Sequence, residues 1–239
     1  MTPTVPPLEL LRVTDLHAFY GESHILHGMD FTVRRGELVT LLGRNGSGRT
    51  TTLKAILGLV ERRTGSVVMN GRETIRMAPH EVVHLGLGYC PEERGIFTSL
   101  SAEENLLLLP VLGGAGLSVK ELYRMFPNLA ERRRTPGGRL SGGEQQMLAV
   151  ARILRTGARL LLLDEMTEGL APVMVETLGQ VVRSLRERGF TLIMVEQNFR
   201  FAAALADRHY VVEHGRVVDS VDKADFPRSV DKLHRYLGL

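Results

Sequence analysis

The chain has 239 residues, of which 44% are apolar, with a formal net charge of +3 and a single cysteine, Cys90. Its apolar content excludes a disordered chain and suffices for one domain with a buried core, and the lone cysteine excludes an intrachain disulfide, which fits a reducing cytoplasm. No apolar stretch approaches the roughly 18 to 20 residues of a spanning helix, residues 1–7 do not resemble a secretion signal, and so small a positive charge gives no reason to expect a nucleic-acid partner.

The first predicted elements are β-strands. Short apolar sets alternate with polar residues from Leu10 to Val33 and break at Gly21, a pattern that predicts an antiparallel hairpin. A second hairpin turn is predicted at Asn70-Gly71. Tyr20 lies just before Gly21, where its ring could stack on a nucleotide base, although a lone tyrosine at a strand end is also an ordinary core or edge residue.

A glycine-rich segment separates the apolar run Leu38 to Leu42 from apolar residues at helical spacing. It matches the phosphate-loop pattern G-x-x-x-x-G-K-[ST] except that Arg49 stands where lysine is expected. In such a loop the glycines let the backbone wrap a polyphosphate, and the following helix directs its first N–H groups at the anion. A glycine-rich loop without a ligand is the alternative. The predicted phosphate-binding residues are Gly43, Arg44, Asn45, Gly46, Ser47, Gly48, Arg49, Thr50 and Thr51.

The next segment predicts a short strand and then a helical lobe. The strand begins near Gly86 and continues into a loop that contains Pro91 and Glu92. Ser101 is a predicted N-cap that is followed by acidic residues, as expected at the start of a helix. From there to Arg139 the sequence looks helical, with predicted interruptions at residues 113–116 and 136–138.

A second glycine-bearing helix start follows at Leu140 to Gln146. The free N–H groups of Gly142 and Gly143, with the hydroxyl of Ser141, make it a second possible phosphate site. The same residues are also suited to an ordinary helix cap.

Two carboxylates follow a continuous apolar run. Residues 159–163 are typical of a strand buried on both faces, and Asp164 and Glu165 stand at its carboxyl end, where ligands of open parallel sheets bind. Asp164 could hold Mg²⁺ through water, and Glu165 could orient or deprotonate an attacking water. The alternative is a pair of surface acids at the start of the next helix.

The rest of the chain alternates between helix and strand. A helix is predicted from Met174 to its end at Gly189, then a strand over residues 190–195 that ends in Glu196-Gln197-Asn198. A helix over residues 201–206 and a hairpin at Gly215 follow. This alternation predicts a parallel α/β sheet.

Together, in this order, these motifs resemble the ATP-binding-cassette (ABC) ATPases, whose signature matches residues 140–146. More closely, the chain resembles the shorter ATP-binding subunit of branched-chain amino acid importers, nearly from end to end. The resemblance implies a phosphate-loop NTPase core with a mixed, mainly parallel sheet, an antiparallel β subdomain and an inserted helical lobe. It also implies a single domain over residues 1–239, in which residues 93–155 form the lobe with the signature, and residues 1–92 and 156–239 form the rest.

The resemblance further implies roles for matching positions. Tyr20 would stack on the adenine of ATP, Glu165 would be the general base, and Gln197 would sense the γ-phosphate. Thr50, Asp164 and Glu92 would serve Mg²⁺ and the hydrolytic water. Three residues would contact the nucleotide of an opposite subunit: Ser141, Gly142 and Gly143.

The implied function is an ATPase that powers uptake of branched-chain amino acids or related small amides from the cytoplasmic face of the inner membrane, as a peripheral protein. The implied partners are transmembrane permeases, a second ATP-binding subunit of the same or another kind and, indirectly, a periplasmic substrate-binding protein. Arg49 and Met166 depart from the family pattern, the latter from a usual proline. A nucleotide-binding, weakly hydrolysing regulatory subunit is therefore the alternative, because Arg49 replaces the lysine.

Overall fold

A computed structural model describes residues 8–112 and 116–238. Its strands are β1 (Glu9–Tyr20), β2 (Ser23–Arg34), β3 (Leu38–Leu42), β4 (Arg62–Met69), β5 (Arg72–Glu73), β6 (Leu87–Cys90), β7 (Leu160–Asp164), β8 (Thr191–Val195), β9 (Arg208–Glu213) and β10 (Arg216–Asp222). Its α-helices are α1 (Arg49–Leu57), α2 (Pro79–Val83), α3 (Ala102–Leu107), α4 (Val119–Met125), α5 (Pro127–Glu131), α6 (Gly142–Arg155), α7 (Pro172–Glu187), α8 (Phe199–Leu205) and α9 (Phe226–Leu237).

The first sheet is antiparallel, in the order β2-β1-β4-β5. Its two turns are those that the sequence predicts. Asn70 and Gly71, which join β4 to β5, both have positive φ, 51° and 76°, as a two-residue turn of type I′ requires. The predicted antiparallel β subdomain is thereby confirmed.

The second sheet has the order β10-β9-β3-β8-β7-β6 and is parallel except for β10, which pairs antiparallel with β9. Its strands β3, β7 and β8 are buried on both faces. In β7, Leu161 and Leu163 belong to one hydrophobic core, whereas Leu160 and Leu162 belong to another that also contains side chains of the antiparallel sheet. Continuous apolar runs are expected where helices or a second sheet cover both faces. The predicted fold class, a mixed and mainly parallel sheet with an antiparallel sheet beside it, is confirmed.

The helical lobe begins its helices with one repeated local device. Ser101, Ser118 and Ser141 each accept a hydrogen bond from the backbone N–H three residues later, and the glutamate at that later position bonds back to the serine. This capping box satisfies donors that a helix start otherwise leaves open. Ser101 is the N-cap that the sequence predicts.

Apart from α6, the helices of this lobe are short, with five to seven residues each. Residues 137–139 form a single 3₁₀ turn at the second predicted interruption. The first predicted interruption lies mostly outside the described residues. The division of the chain at residues 92/93 and 155/156 stays a prediction.

The C-terminal helix α9 is not among the elements predicted from the sequence. Its Leu233 is buried in a small third core with Leu42 and Phe199, and Phe226 and Val230 pack against it. The apolar spacing 226, 230, 233 and 237 is helical and could have revealed this element. Among the residues described, no helix combines the length and apolar character that crossing a membrane would demand.

Candidate active site

The candidate site lies at one edge of the second sheet. Because β3, β6, β7 and β8 run parallel, the segments that follow their carboxyl ends meet there. The edge forms a cleft of about 430 Å³. It is lined by Tyr20, Ile25, Asn45, Gly46, Ser47, Gly48, Arg49, Thr50, Thr51, Glu92, Glu165, Glu168 and Gln197.

The glycine-rich loop ends in the uncapped start of α1. Gly48, the N-cap, has φ 104° and offers no side chain to cap the helix, so the first-turn N–H groups stay open. A Cβ at Gly48 would stand 2.9 Å from Leu26 Cδ2, which, with the positive φ, explains the glycine. Ser47 Oγ is buried and has no hydrogen-bond partner in the described part of the chain. These open donors suit a phosphate group.

Two residues of the predicted loop do not line the cleft. Gly43 lies against the backbone of β9, where a Cβ would meet the carbonyl oxygen of Val212 at 2.3 Å. The Arg44 side chain is directed to the end of α9 and donates to the carbonyl oxygens of Tyr236, at 3.2 Å, and Arg235, at 3.4 Å. Cations are favourable at a helix C-terminus. The Arg44 side chain thus contacts α9 instead of lining the cleft.

Asp164 is the buried carboxylate at the end of β7. Thr50 Oγ1 donates to its Oδ1 at 3.0 Å, and the Tyr89 hydroxyl donates to its Oδ2 at 3.1 Å. Burial raises the pKa of Asp164, and these two hydrogen bonds act in the opposite direction. Burial next to Asp164 also raises the pKa of Tyr89, which keeps that hydroxyl a donor.

The donor set around Asp164 fits Mg²⁺. A threonine hydroxyl and a carboxylate, with the nearby exposed Glu92, are oxygen ligands of the kind that bind Mg²⁺ together with phosphates and water. Burial and the neighbouring Glu168 and Glu165 raise the pKa of Glu92. Within residues 8–112 and 116–238, no group of three or more His, Cys, Asp or Glu side chains is arranged to hold a metal by itself.

Glu165 is held at both of its carboxylate oxygens. Arg49 Nη2 donates to Oε1 at 3.2 Å, and Gln197 Nε2 donates to Oε2 at 2.6 Å. Burial raises the pKa of Glu165, while Gln197 and Arg49 act to lower it. The backbone of Glu165 is left-handed, with φ 45°, a conformation that costs a non-glycine residue about 1–2 kcal/mol. Such outliers concentrate at functional sites.

Arg49 is buried, with 4% of its surface exposed, and its guanidinium connects three segments. Besides Glu165, it donates to Asn45 Oδ1 and to the carbonyl oxygen of Glu196, each at 3.2 Å. Burial lowers the pKa of Arg49, and the charges of Glu165, Asp164 and Glu196 oppose that shift. A planar guanidinium can make these bonds together, whereas a compact ammonium would present a point charge.

Tyr20 stands at the rim of the same cleft. It is the last residue of β1 and is 37% exposed, and Ile25 of β2 lines the cleft with it. An exposed ring beside a phosphate loop is available for stacking. The predicted contact with adenine remains a prediction.

The signature segment lies outside this cleft. Ser141 is exposed and caps α6, while Gly143 is buried against Met174 of α7. The segment is tied to the loop that carries Glu92. Arg94 of that loop donates to Gln146 Oε1 at 3.2 Å and to Gln145 Oε1 at 3.4 Å.

Three residues of the site are not among those predicted from the sequence. Tyr89 orients Asp164 from the neighbouring strand, and Ile25 lines the cleft from β2. Glu168 lines the cleft three residues after Glu165, in a turn where its N–H donates to the Glu165 carbonyl oxygen at 3.3 Å. Only Glu168 could be predicted from its spacing to Glu165, because the positions of Tyr89 and Ile25 in the site depend on the order of the strands.

The sheet order, the uncapped helix start and the carboxylates at the strand ends define a phosphate-loop nucleotide hydrolase. The ABC transporter family model matches residues 26–168. The chain is 37% identical over 216 residues to the high-affinity branched-chain amino acid transport ATP-binding protein BraG of Pseudomonas aeruginosa, over 87% of this chain and 91% of that protein. It is 36% identical over 213 residues to the probable branched-chain amino acid transport ATP-binding protein LivF of Archaeoglobus fulgidus, covering 87% and 90%.

A further relative has a different transport role. The lipopolysaccharide export system ATP-binding protein LptB of Escherichia coli K12 is 30% identical over 234 residues, covering 95% of this chain and 97% of that protein. Among solved structures, an ATP-binding subunit of an ABC transporter superposes with a TM-score of 0.79 at 28% identity, over 96% and 100% of the two chains. The chain belongs to the ABC transporter family. It is an ABC ATP-binding domain, and domains of this kind bind and hydrolyse ATP, dimerise and work with transmembrane permeases.

Proposed function

We propose that this chain is the ATP-hydrolysing subunit of an importer for branched-chain amino acids or related small amides, peripheral on the cytoplasmic face of the inner membrane. The observation that carries the proposal is the 37% identity to BraG over 87% of the chain. The 30% identity to LptB, an export protein, supports the opposite direction of transport more weakly.

The proposed residue roles follow from the cleft. Open N–H groups of the loop from Gly46 to Thr51 bind the phosphates, and Tyr20 stacks on the adenine. Thr50, Asp164 and Glu92 hold Mg²⁺, which neutralises charge on the phosphates when bound. Glu165 accepts the proton of the attacking water, since burial raises its pKa toward the range of an effective base.

The other half of the nucleotide site comes from a second ATP-binding subunit, identical or not. Ser141, Gly142 and Gly143, outside the cleft of their own chain, contact the γ-phosphate that the partner subunit holds. Gln197, beside Glu165, senses the γ-phosphate in the cleft of its own chain. ATP closes the pair and hydrolysis opens it, and the helical lobe transmits the motion to the permeases, with a periplasmic binding protein delivering the cargo.

Reconstitution tests the transport role. The chain is co-expressed with permease subunits of a branched-chain amino acid or amide importer from the same genome, and the purified complex is placed in liposomes with the substrate-binding protein of that importer. We expect ATP-dependent uptake of labelled leucine or of urea, whichever cargo the binding protein takes. Transport of either compound out of the ATP-containing compartment, or ATP hydrolysis without uptake of any such cargo, contradicts the importer role.

A weakly hydrolysing regulatory subunit is the second candidate, and the ion pair between Arg49 and Glu165 favours it. A guanidinium bonded to the general base has to leave that base before a phosphate can use its charge. The turnover of purified protein at saturating Mg²⁺-ATP distinguishes the candidates. Nucleotide binding with turnover far below about 1 per second would support the regulatory role.

A further inference from the structure

Glu165 carries its carboxylate on a strained backbone whose neighbours hold it in place. Its φ is 45°, and its own N–H donates to the carbonyl oxygen of Val195, at the end of β8, at 2.8 Å. A left-handed non-glycine residue persists only where surrounding contacts determine it. The segment that follows Glu165 therefore needs its own anchor, or the base would be free to turn away from the cleft.

Glu196 supplies this anchor. The residue is 2% exposed, and its carboxylate accepts two hydrogen bonds from one partner: from Thr167 N at 3.2 Å to Oε1 and from Thr167 Oγ1 at 2.8 Å to Oε2. Thr167 is itself 8% exposed and lies two residues after Glu165. A buried carboxylate bonded twice to one residue fixes both the backbone and the side chain of that residue.

The main chain of Glu196 joins the same assembly. Its carbonyl oxygen accepts a hydrogen bond from Arg49 Nη1 at 3.2 Å, and the next residue, Gln197, holds Glu165 Oε2. The end of β8 thus contacts the general base on its N–H, on its carboxylate and through the turn that follows it.

We propose that Glu196 and Thr167 are positioning residues for the general base, which hold the turn after β7 against the end of β8 so that Glu165 faces the attacking water. This inference rests on the proposed role of Glu165. Neither residue lines the cleft, so they act through Glu165 and not on the nucleotide.

The burial and hydrogen bonding of Glu196 are consistent with a structural role. Burial raises its pKa to about 7, while the hydrogen bonds from Thr167 and the backbone N–H of Asn198 act to lower it. A carboxylate at such a depth is costly unless it is hydrogen-bonded. Thr167 offsets that desolvation with two hydrogen bonds to the Glu196 carboxylate.

The decisive variant is Thr167→Val, which removes one hydroxyl and keeps the shape of the side chain. We expect kcat for ATP to fall about tenfold, because the base is misplaced, with less than a twofold change in KM. Thr167→Ser, which retains the hydroxyl, should recover most of the turnover. The matched control is Thr177→Val on α7, outside the cleft, where the hydroxyl donates to the Val173 carbonyl oxygen, and turnover should not change.

A second experiment separates positioning from general stability. Under single-turnover conditions, Thr167→Val should lower the rate in the unaltered chain but not in a Glu165→Gln background, where no base remains to be placed. An equal drop in both backgrounds, or an unchanged kcat in Thr167→Val, would overturn the inference. Full turnover in Glu165→Gln alone would instead overturn the role of Glu165 itself.

If Thr167→Val does not fold, Glu196→Gln takes its place. The amide keeps the size of the side chain and one acceptor oxygen, but its NH₂ group can only donate to the Thr167 hydroxyl, so the variant reverses that hydrogen bond and removes the carboxylate charge. We expect a kcat about threefold lower with KM unchanged. A KM that rises while kcat stays constant would show that Glu196 acts on ATP binding and would contradict the proposal.

Discussion

The cleft and the signature segment differ in how many of their own hydrogen-bonding groups find partners within the chain. In the cleft, Ser47 Oγ has no partner in the described residues, α1 has no side-chain cap, and burial raises the pKa of Asp164 and Glu165. The signature segment instead closes its helix start within itself, because Ser141 and Glu144 form a capping box. The open donors and crowded carboxylates of the cleft are suited to bind a ligand, whereas the capped helix start has its donors satisfied without one.

Under the proposed function, the two regions would build a phosphate contact in two different ways. The cleft requires four parallel strands in register before its residues meet, so it is a product of the whole sheet. The signature segment requires only a local turn, the capping box at the start of α6, and its proposed ligand is held by another subunit. Arg94 connects the two, since it bonds the signature helix from the loop of Glu92. Four predictions test or refine this comparison.

The largest effect is expected in the cleft, from Glu165→Gln. The amide keeps the size and a hydrogen bond to Gln197 but cannot accept the proton, so turnover should fall by about 10²- to 10⁴-fold. ATP should still bind, and an ATP-trapped dimer should accumulate in size-exclusion chromatography. A variant that retained more than about half of its turnover would show that another group is the base.

The signature side is tested by Ser141→Arg. A large charged side chain at this exposed position should block contact with a partner's nucleotide and lower turnover by at least about tenfold, while ATP affinity of the single chain stays the same. Ser118→Arg is the matched control, since it removes an equal capping box at the start of α4.

Mixing two variant chains provides a second test of the signature segment. Chains with Ser141→Arg and chains with Glu165→Gln should together regain turnover, because one composite site of the mixed dimer then has both halves intact. ATPase rates of the mixture and of each variant alone measure this. If Ser118→Arg loses as much turnover as Ser141→Arg, the signature has only a capping role. If mixing restores nothing, two copies of this chain do not form the composite site.

A smaller effect is expected at Arg49. In Arg49→Lys, the ammonium no longer makes the guanidinium's bonds to Glu165 and Asn45, so the base is released and the charge can follow the γ-phosphate in the transition state. We expect turnover to rise about tenfold, equivalent to roughly 1.4 kcal/mol of barrier, with a smaller change in Kd for ATP. Rates and affinities measured side by side with Mg²⁺ decide, and an equal or lower rate would show that this loop is adapted to arginine.

The smallest effect is expected at the rim of the cleft. Tyr20→Ala should weaken ATP binding by roughly 0.5 to 1.5 kcal/mol and leave kcat at saturating ATP nearly constant, because adenine is held and not transformed. Tyr20→Phe keeps the ring and serves as the control. Titration with a fluorescent ATP analogue tests this. Equal affinities of the alanine variant and the parent chain would show that Tyr20 is an edge residue that does not contact the nucleotide.

Much of the fold could be predicted from local patterns. The hairpin turn at Asn70-Gly71 and the N-cap Ser101 are encoded by residue types that favour one backbone conformation, and both are confirmed. The helix α9 is encoded in the same local way, by its regular apolar spacing, but the place where it docks is not, because its buried Leu233 shares a core with the distant Leu42 and Phe199.

Local residue patterns suffice to locate the candidate phosphate loop, the strand buried on both faces and the acids that follow it, since each of these depends on neighbours in the chain. Which groups face one another depends on the folded chain: Tyr89 with Asp164, Arg49 with Glu165, and Glu196 with Thr167. The physical reason is that these partners lie on different strands or loops. Their distances follow from the order of strands in the sheet, and no residue pattern within a single segment records that order.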